Sequence, residues 1–268
     1  MDKKVGVRKQ IVVPGLDPGA KYVSRLSTRS ALYTDLQILL EQGSECLSVE
    51  KYKSLVVEEN CLARSTTSAR VKLWRELKGR YRLDGYDPLF TAFLEEWHHC
   101  HSEQERGLTA YILFALNDRL IADLGTLWLF PYLRHAPVEA RVDSVQGFIR
   151  QAVVSHPEIQ KWSELTRKRL AQHYMASIRD FGLMSGKFKK VSVRPALYAA
   201  PIRLLVRALS LAGVTHPLEL VLDPIFRLLV LETFEVIDAL GELNRLGEVH
   251  FRMQGDVVEL DLEAVAVA

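Results

Sequence analysis

Residues 162–195 read WSELTRKRLAQHYMASIRDFGLMSGKFKKVSVRP, and both ends of a helix are written into them. The Ser163 hydroxyl can accept from a backbone N–H that the first turn leaves unpaired, and Gly182 suits a left-handed stop after Phe181. On the helical period Leu170, Tyr174, Ile178 and Phe181 share one side, whereas Lys168, Gln172 and Arg179 share the other, with Arg169 on the flank. One face packs and the other is wet and positive. Leu183-Met184, the turn Ser185-Gly186-Lys187 and the β-prone Val191-Ser192-Val193 then predict a two-stranded wing whose tip carries Lys187, Lys189 and Lys190. From Lys161 to Arg194 nine Lys/Arg stand against Glu164 and Asp180, a local charge of +7 in a chain that totals +2. A helix followed by a basic hairpin is how a winged helix-turn-helix meets a duplex, with the helix in the major groove and the wing on neighbouring phosphates. A solvated charged helix with a basic loop is the plainer alternative.

A second basic segment favours the first reading. Ser65 or Thr66 can cap a helix through SARVKLWRELKGRYR (68–82), in which Leu73, Trp74, Leu77 and Tyr81 share one face and Ser68, Lys72, Arg75 and Arg82 the opposite one. From Cys61 to Arg82 seven Lys/Arg stand against Glu76 alone. If the fold sets the two outer faces side by side, the result is a stripe suited to phosphates, which supply much of the affinity for nucleic acid and its steep salt dependence. Charge in this chain is therefore a matter of distribution, since the pI of 8.4 is only mildly basic. Residues 218–263 hold eleven Asp/Glu against Arg227, Arg245 and Arg252.

The other segments predict a mainly α, multi-helix globule with helix-turn-helix or winged-helix-like elements and short β-hairpins. Residues 1–20, with Pro14, Gly15, Pro18 and Gly19 around Ile11-Val12-Val13, read as a flexible arm whose Lys3, Lys4, Arg8 and Lys9 are basic. A helix capped at Ser27 or Thr28 carries Leu32, Leu36, Leu39 and Leu40 and stops at Gly43; a second runs over 49–64. Asp87-Pro88 starts a helix that ends in His98-His99-Cys100-His101. His98 and His101 at i, i+3 with Cys61 could be imagined around zinc, but no HExxH, CxxC or second ligand pair accompanies them, and a polar helix end is the preferred account. Leu108–Leu133 supplies two apolar helices and the hydrophobic centre. Arg141–Ser155, a break at His156-Pro157 and a step over 158–161 lead into the helix that follows Ser163, the order a winged unit requires. Three cysteines without CxxC spacing, no apolar leader and no uninterrupted apolar span predict a cytoplasmic protein.

Glu59-Asn60, Arg64-Ser65 and Ser68-Ala69-Arg70, followed about ninety residues later by Trp162-Ser163, Thr166-Arg167-Lys168-Arg169-Leu170 and the Gly182-Leu183 stop, resemble the BrxA family, accessory proteins of bacteriophage exclusion (BREX) systems. Tyr22 and Ser24-Arg25-Leu26 fit that family's opening, and the resemblance runs over 21–200. It implies a mainly helical cytoplasmic protein, similar in fold to the antitermination factor NusB, that binds double-stranded DNA and has no known catalytic activity. The resemblance places DNA contacts on Arg64, Ser65 and Arg70 and on Arg167, Lys168 and Arg169. The charge reading adds Lys72, Arg75, Lys187, Lys189 and Lys190.

Members of the family usually stop near the equivalent of Ala200, whereas this chain continues for 68 residues. Residues 201–268 read as an acidic subdomain, with helices over 202–211, 224–238 and 243–246 and a terminal hairpin around Gln254-Gly255-Asp256. Its acidity would repel phosphate, which suits packing or partner binding. The chain lacks a Walker A loop, GxSxG, a GxGxxG after a strand and any metal-hydrolase signature, so it is expected not to be an enzyme and to need no cofactor, metal or small-molecule substrate. The expected partners are double-stranded DNA and other BREX proteins, with no membrane. Two other readings remain: an assembly adaptor using the acidic extension or the 108–133 surface, and an RNA-binding NusB-like protein, which the lack of an aromatic stacking motif disfavours.

Overall fold

Side chains that accept from the first turn set most of the helix starts. The computed structural model describes residues 10–42 and 47–262. In order it shows α1 (Tyr33–Glu41), α2 (Val49–Val57), α3 (Thr67–Tyr81), α4 (Pro88–His98), α5 (Glu103–Leu116), α6 (Arg119–Asp123), α7 (Phe130–Arg134), β1 (Glu139–Ala140), α8 (Val142–Gln151), α9 (Glu164–Asp180), β2 (Met184–Ser185), β3 (Lys190–Ser192), α10 (Ala199–Leu211), α11 (Pro217–Leu222), α12 (Thr233–Arg245), β4 (His250–Gln254) and β5 (Val257–Asp261). Thr66 accepts from Ala69 N at 3.1 Å, Asp87 from Leu89 N and Phe90 N, and Ser163 from Thr166 N at 3.1 Å. The protein is mainly α with short hairpins, as expected.

The apolar centre is α5, where every residue from Gly107 to Leu116 is buried. A π-helical stretch, Leu124–Leu129, joins α6 to α7 in one rod, so the 108–133 region does hold two helices. The inward face of α9 is as read: Leu170, Tyr174 and Ile178 are fully buried, and Gly182 has φ +84°. Beyond α9 the hairpin is present and gains a third strand. β1 pairs antiparallel with β3 (Glu139 opposite Val191) and β3 with β2 (Ser185 opposite Val191), which places β3 in the middle. The second sheet is the terminal hairpin, β4 with β5, closed by a turn at Gly255-Asp256.

Four details of the sequence reading need correction. Ser27 and Thr28 do not cap α1, which starts at Tyr33 behind a left-handed Leu32 (φ 61°). Residues 25–31 instead lie as a strap between α3 and α9, because side chains from both helices satisfy its backbone. Arg80 donates to Ser30 O and Arg29 O, Tyr81 OH to Ala31 O, and Ala31 N donates to Ser177 Oγ at 2.8 Å. Second, the helix over 49–64 ends at Val57; Asn60 and Ala63 take positive φ and break it. Third, the helix over 224–238 is cut in two. Pro224–Leu229 forms a 3-10 turn ending at left-handed Val230 (φ 64°), and α12 starts afresh at a Glu232/Glu235 capping box and runs through to Arg245.

Fourth, the segment 10–20 is docked. Val13 is buried, Ile11 N donates to Leu211 O at 3.0 Å, Gly15 N to Leu116 O at 2.8 Å, and Arg119 reaches Gly15 O. Proline and glycine mark irregular backbone, and here tertiary partners hold that backbone. The remainder of the expected arm, 1–9, the Gly43 stop and residues 263–268 lie outside the described residues. The expected division at 200/201 falls inside α10. That helix packs on α4 and α5 and carries Arg203, 10% exposed, which pairs with the buried Glu96 at 2.8 Å and with Glu248. Arg207 pairs with Glu95 and with Glu96, so the adjacent carboxylates of α4 are counterions. Among the described residues no helix is long and apolar enough to cross a membrane.

Candidate nucleic-acid interface

α3 and α9 flank the 25–31 strap, and this brings their basic faces together. The His173 ring holds Leu26 O through Nδ1 at 2.8 Å, and Arg25 donates to Gly79 O, so each helix grips the strap. Over the strap lies an open groove of about 520 Å³. Ser27 and Thr28 form its floor, Lys72 one wall, and Thr166, Arg169 and Gln172 the other, with Leu165 at the rim. Arg75 stands one turn along α3 from Lys72 and Lys168 beside Arg169, all four exposed. None of Lys72, Arg75, Lys168 and Arg169 has an ion pair with any described residue. Four cations without an ion pair among the described residues form a positive surface there.

The other expected contact residues are placed differently. Arg64 pairs with Asp35, and its N–H donates to Asn60 Oδ1 at 2.8 Å. Burial raises the Asp35 carboxyl pKa, and Arg64 and Arg29 oppose the rise. Arg70 donates to Val57 O at 2.7 Å and Thr67 Oγ1 at 3.1 Å, which ties α3 to the end of α2. Ser65 is exposed just before the α3 cap. Arg167 is 16% exposed, pairs with Glu164 at 2.6 Å and donates to Ile159 O at 3.1 Å, so it fastens the first turn of α9 to the preceding 3-10 turn. Lys187 and Lys189 are exposed at the β2–β3 tip and Lys190 is half-buried where β3 begins. The groove runs beside the first three turns of α9, and the hairpin follows its last. Roughly 17 Å of helix separates Arg169 from Asp180, at 1.5 Å per residue.

Sequence reasoning missed Ser27, Thr28 and Phe188. The first two read as a helix cap because the groups that hold the strap around them, at Leu26, Ser30 and Ala31, lie 50 or more residues away. Phe188 carried a usable signal, an aromatic ring inside a run of lysines. The histidine cluster assembles nothing: His99 Nδ1 bonds Glu95 O, the Cys100 thiol is buried, and among the described residues no three His, Cys, Asp or Glu could hold a metal ion.

A solved structure of similar fold is the crystal structure of an uncharacterized protein from Magnetospirillum magneticum. It is 12% identical, covers 78% of this chain and 98% of its own, and has a TM-score of 0.58. No curated protein matches the chain. The BrxA family model matches residues 20–208, which takes in the strap, both groove walls, the hairpin and most of α10 and leaves out the acidic end. With that match over more than half its length, the chain belongs to the BrxA family.

Proposed function

We propose that this protein is a non-enzymatic accessory component of a BREX phage-exclusion system that binds double-stranded DNA mainly through phosphates. The observation that carries the reading is the groove that Lys72 and Arg169, nearly a hundred residues apart in sequence, line together without carboxylate partners among the described residues. Phosphate contacts of this kind position a protein on a duplex without reading its sequence. The order β1, α8, α9, β2, β3 with β3 central supports the winged reading, with Lys187, Lys189 and Lys190 as the wing's share. Family membership supports the BREX assignment and the absence of catalysis.

Equilibrium binding to labelled duplex DNA, single-stranded DNA and RNA across a salt series tests this. Seven cations engaging phosphates give a log–log slope near −6, at about 0.9 per contact. Binding that prefers RNA, or that shows no slope, is the result that removes the proposal.

A second reading has its own observation. α12 and β4 border an open groove of about 590 Å³ in which Ile237, Phe251 and Met253 lie among two carboxylates, Asp238 and Glu242, and two arginines, Arg245 and Arg252, and Phe234 nearby is 62% exposed. This suits a partly apolar protein segment of mixed charge. Deleting 218–268 would strip the core of the buried Phe226 and Leu228, so the sound test is Phe234→Asp with Ile237→Asp, scored by loss of a BREX partner in pulldown with duplex binding kept.

A further inference from the structure

The tip of the β2–β3 hairpin carries a ring that the fold does not shelter. Phe188 is 93% exposed, and the one group placed over it is the Lys187 ammonium, 6.0 Å from the ring centroid. The tip is held in shape by Gly186 at φ +87°, where a side chain would collide with Lys189 O. A phenyl group left in water is stabilised by any apolar surface that accepts it. Its neighbours restrict the choice. From Gly182 to Val193 there is no acidic residue, and Lys187, Lys189 and Lys190 are the ring's neighbours along the chain. The complementary surface is thus apolar, thin enough for a hairpin tip to enter, and framed by negative charge.

Stacked bases between phosphates meet all three conditions. We infer that Phe188 is an apolar wedge that enters the minor groove of duplex DNA and partly unstacks one base step, while Lys187 and Lys189 hold the phosphates on either side. Rings and aliphatic side chains are used in this way by proteins that kink DNA, and pyrimidine–purine steps yield most easily. The inference rests on the proposed duplex binding and adds to it: phosphates supply affinity without sequence, and the wedge gives the protein a preference for deformable steps and a bend at each site.

The experiment uses the full chain with Phe188→Ala and Phe188→Leu, on duplexes carrying 2-aminopurine at a central TA step or end labels that report bending. Phe188 buries nothing, so both variants should melt with the wild type. Phe188→Ala is expected to bind duplex roughly tenfold more weakly at every salt concentration, the scale of one lost base contact, on a salt line parallel to the wild type because no charge has changed. It should also lose the 2-aminopurine signal and the bend, whereas Phe188→Leu keeps most of both. A steep wild-type salt slope with no change of affinity or signal in Phe188→Ala overturns the wedge and leaves duplex binding standing. Absence of duplex binding by the wild type overturns both. An effect confined to single strands, or to vesicles containing anionic lipid, overturns the wedge in favour of base stacking or membrane contact.

Discussion

Two units of this chain share a plan, a helix running into a hairpin, and differ in what surrounds it. α9 leads into β2 and β3, and α12 leads into β4 and β5. On the first, Lys168 and Arg169 have no carboxylate partner among the described residues and the tip carries Lys187, Phe188 and Lys189. On the second, Arg245 pairs with Glu242, the turn is Gly255-Asp256, and Asp238 and Glu242 lie on the helix itself. The shape alone therefore specifies no ligand. What separates the units is whether their charges are balanced inside the fold, and by which sign.

The comparison breaks most sharply by reversing charge on one side. Lys72→Glu with Lys168→Glu and Arg169→Glu should lower duplex affinity by roughly 10²- to 10³-fold and reduce the salt slope by about 3. Reversing Asp238 and Glu242 to Lys should leave that slope within error; a comparable loss there would make the acidic unit part of the DNA surface.

Next comes the joint between the units. Arg203 is buried between Glu96 of α4 and Glu248, which precedes β4. Arg203→Ala leaves Glu96 buried without its main partner and should cost about 3–5 kcal/mol in denaturant unfolding. Burial raises the Glu96 carboxyl pKa and Arg203 is the largest opposing influence, so the loss should shrink in acid as Glu96 takes up a proton.

Acidity sharpens the contrast from the basic side. Asp118 lies beneath the strap, with its carboxyl pushed up to about 6 by burial, against Arg25, the Leu120 and Ile121 N–H groups and Arg80. Between its unfolded value near 4 and about 6 the folded protein binds the extra proton. The stability from this group is therefore full below pH 4 and falls as pH rises through 6, by up to ~3 kcal/mol at 1.36 kcal/mol per unit. Asp118→Asn keeps a cap for α6 and should flatten that part of the stability–pH curve while the wild type keeps its slope.

The smallest effect separates neighbouring arginines. Arg167→Ala should cost about 1–2 kcal/mol of stability through lost bonds to Ile159 O and Glu164. Arg169→Ala should change stability by less than ~0.5 kcal/mol yet weaken duplex binding. Equal behaviour of the two would mean that the internal bonds of Arg167 do not set its role.

These arginines show what the sequence could and could not convey. α9 was legible in full, from the Ser163 cap to the Gly182 stop, because capping, periodicity and the left-handed turn act within a few residues. Its hairpin and the basic face of α3 were legible for the same reason. The groove was not. Arg64, Arg70 and Arg167 look identical to Lys72 and Arg169 as charges on a line, and they differ only through Asp35, the Val57 carbonyl and the Ile159 carbonyl. Ser27 and Thr28 read as a cap because the groups that hold the strap, Arg80, Tyr81, His173 and Ser177, lie 50 to about 150 residues away.

The docking of residues 10–20 sets an order of events on the ribosome. Ile11 and Gly15 leave the exit tunnel well before their backbone partners, Leu211 and Leu116. The α9 hairpin unit can close on local contacts while synthesis continues, because its pairings span a few tens of residues. Residues 10–20 wait until α10 has emerged, and contacts that far apart in sequence form late. Residues 10–20 are thus made before these partners and fastened only after them, and until then Val13 is an uncovered apolar side chain on a growing protein.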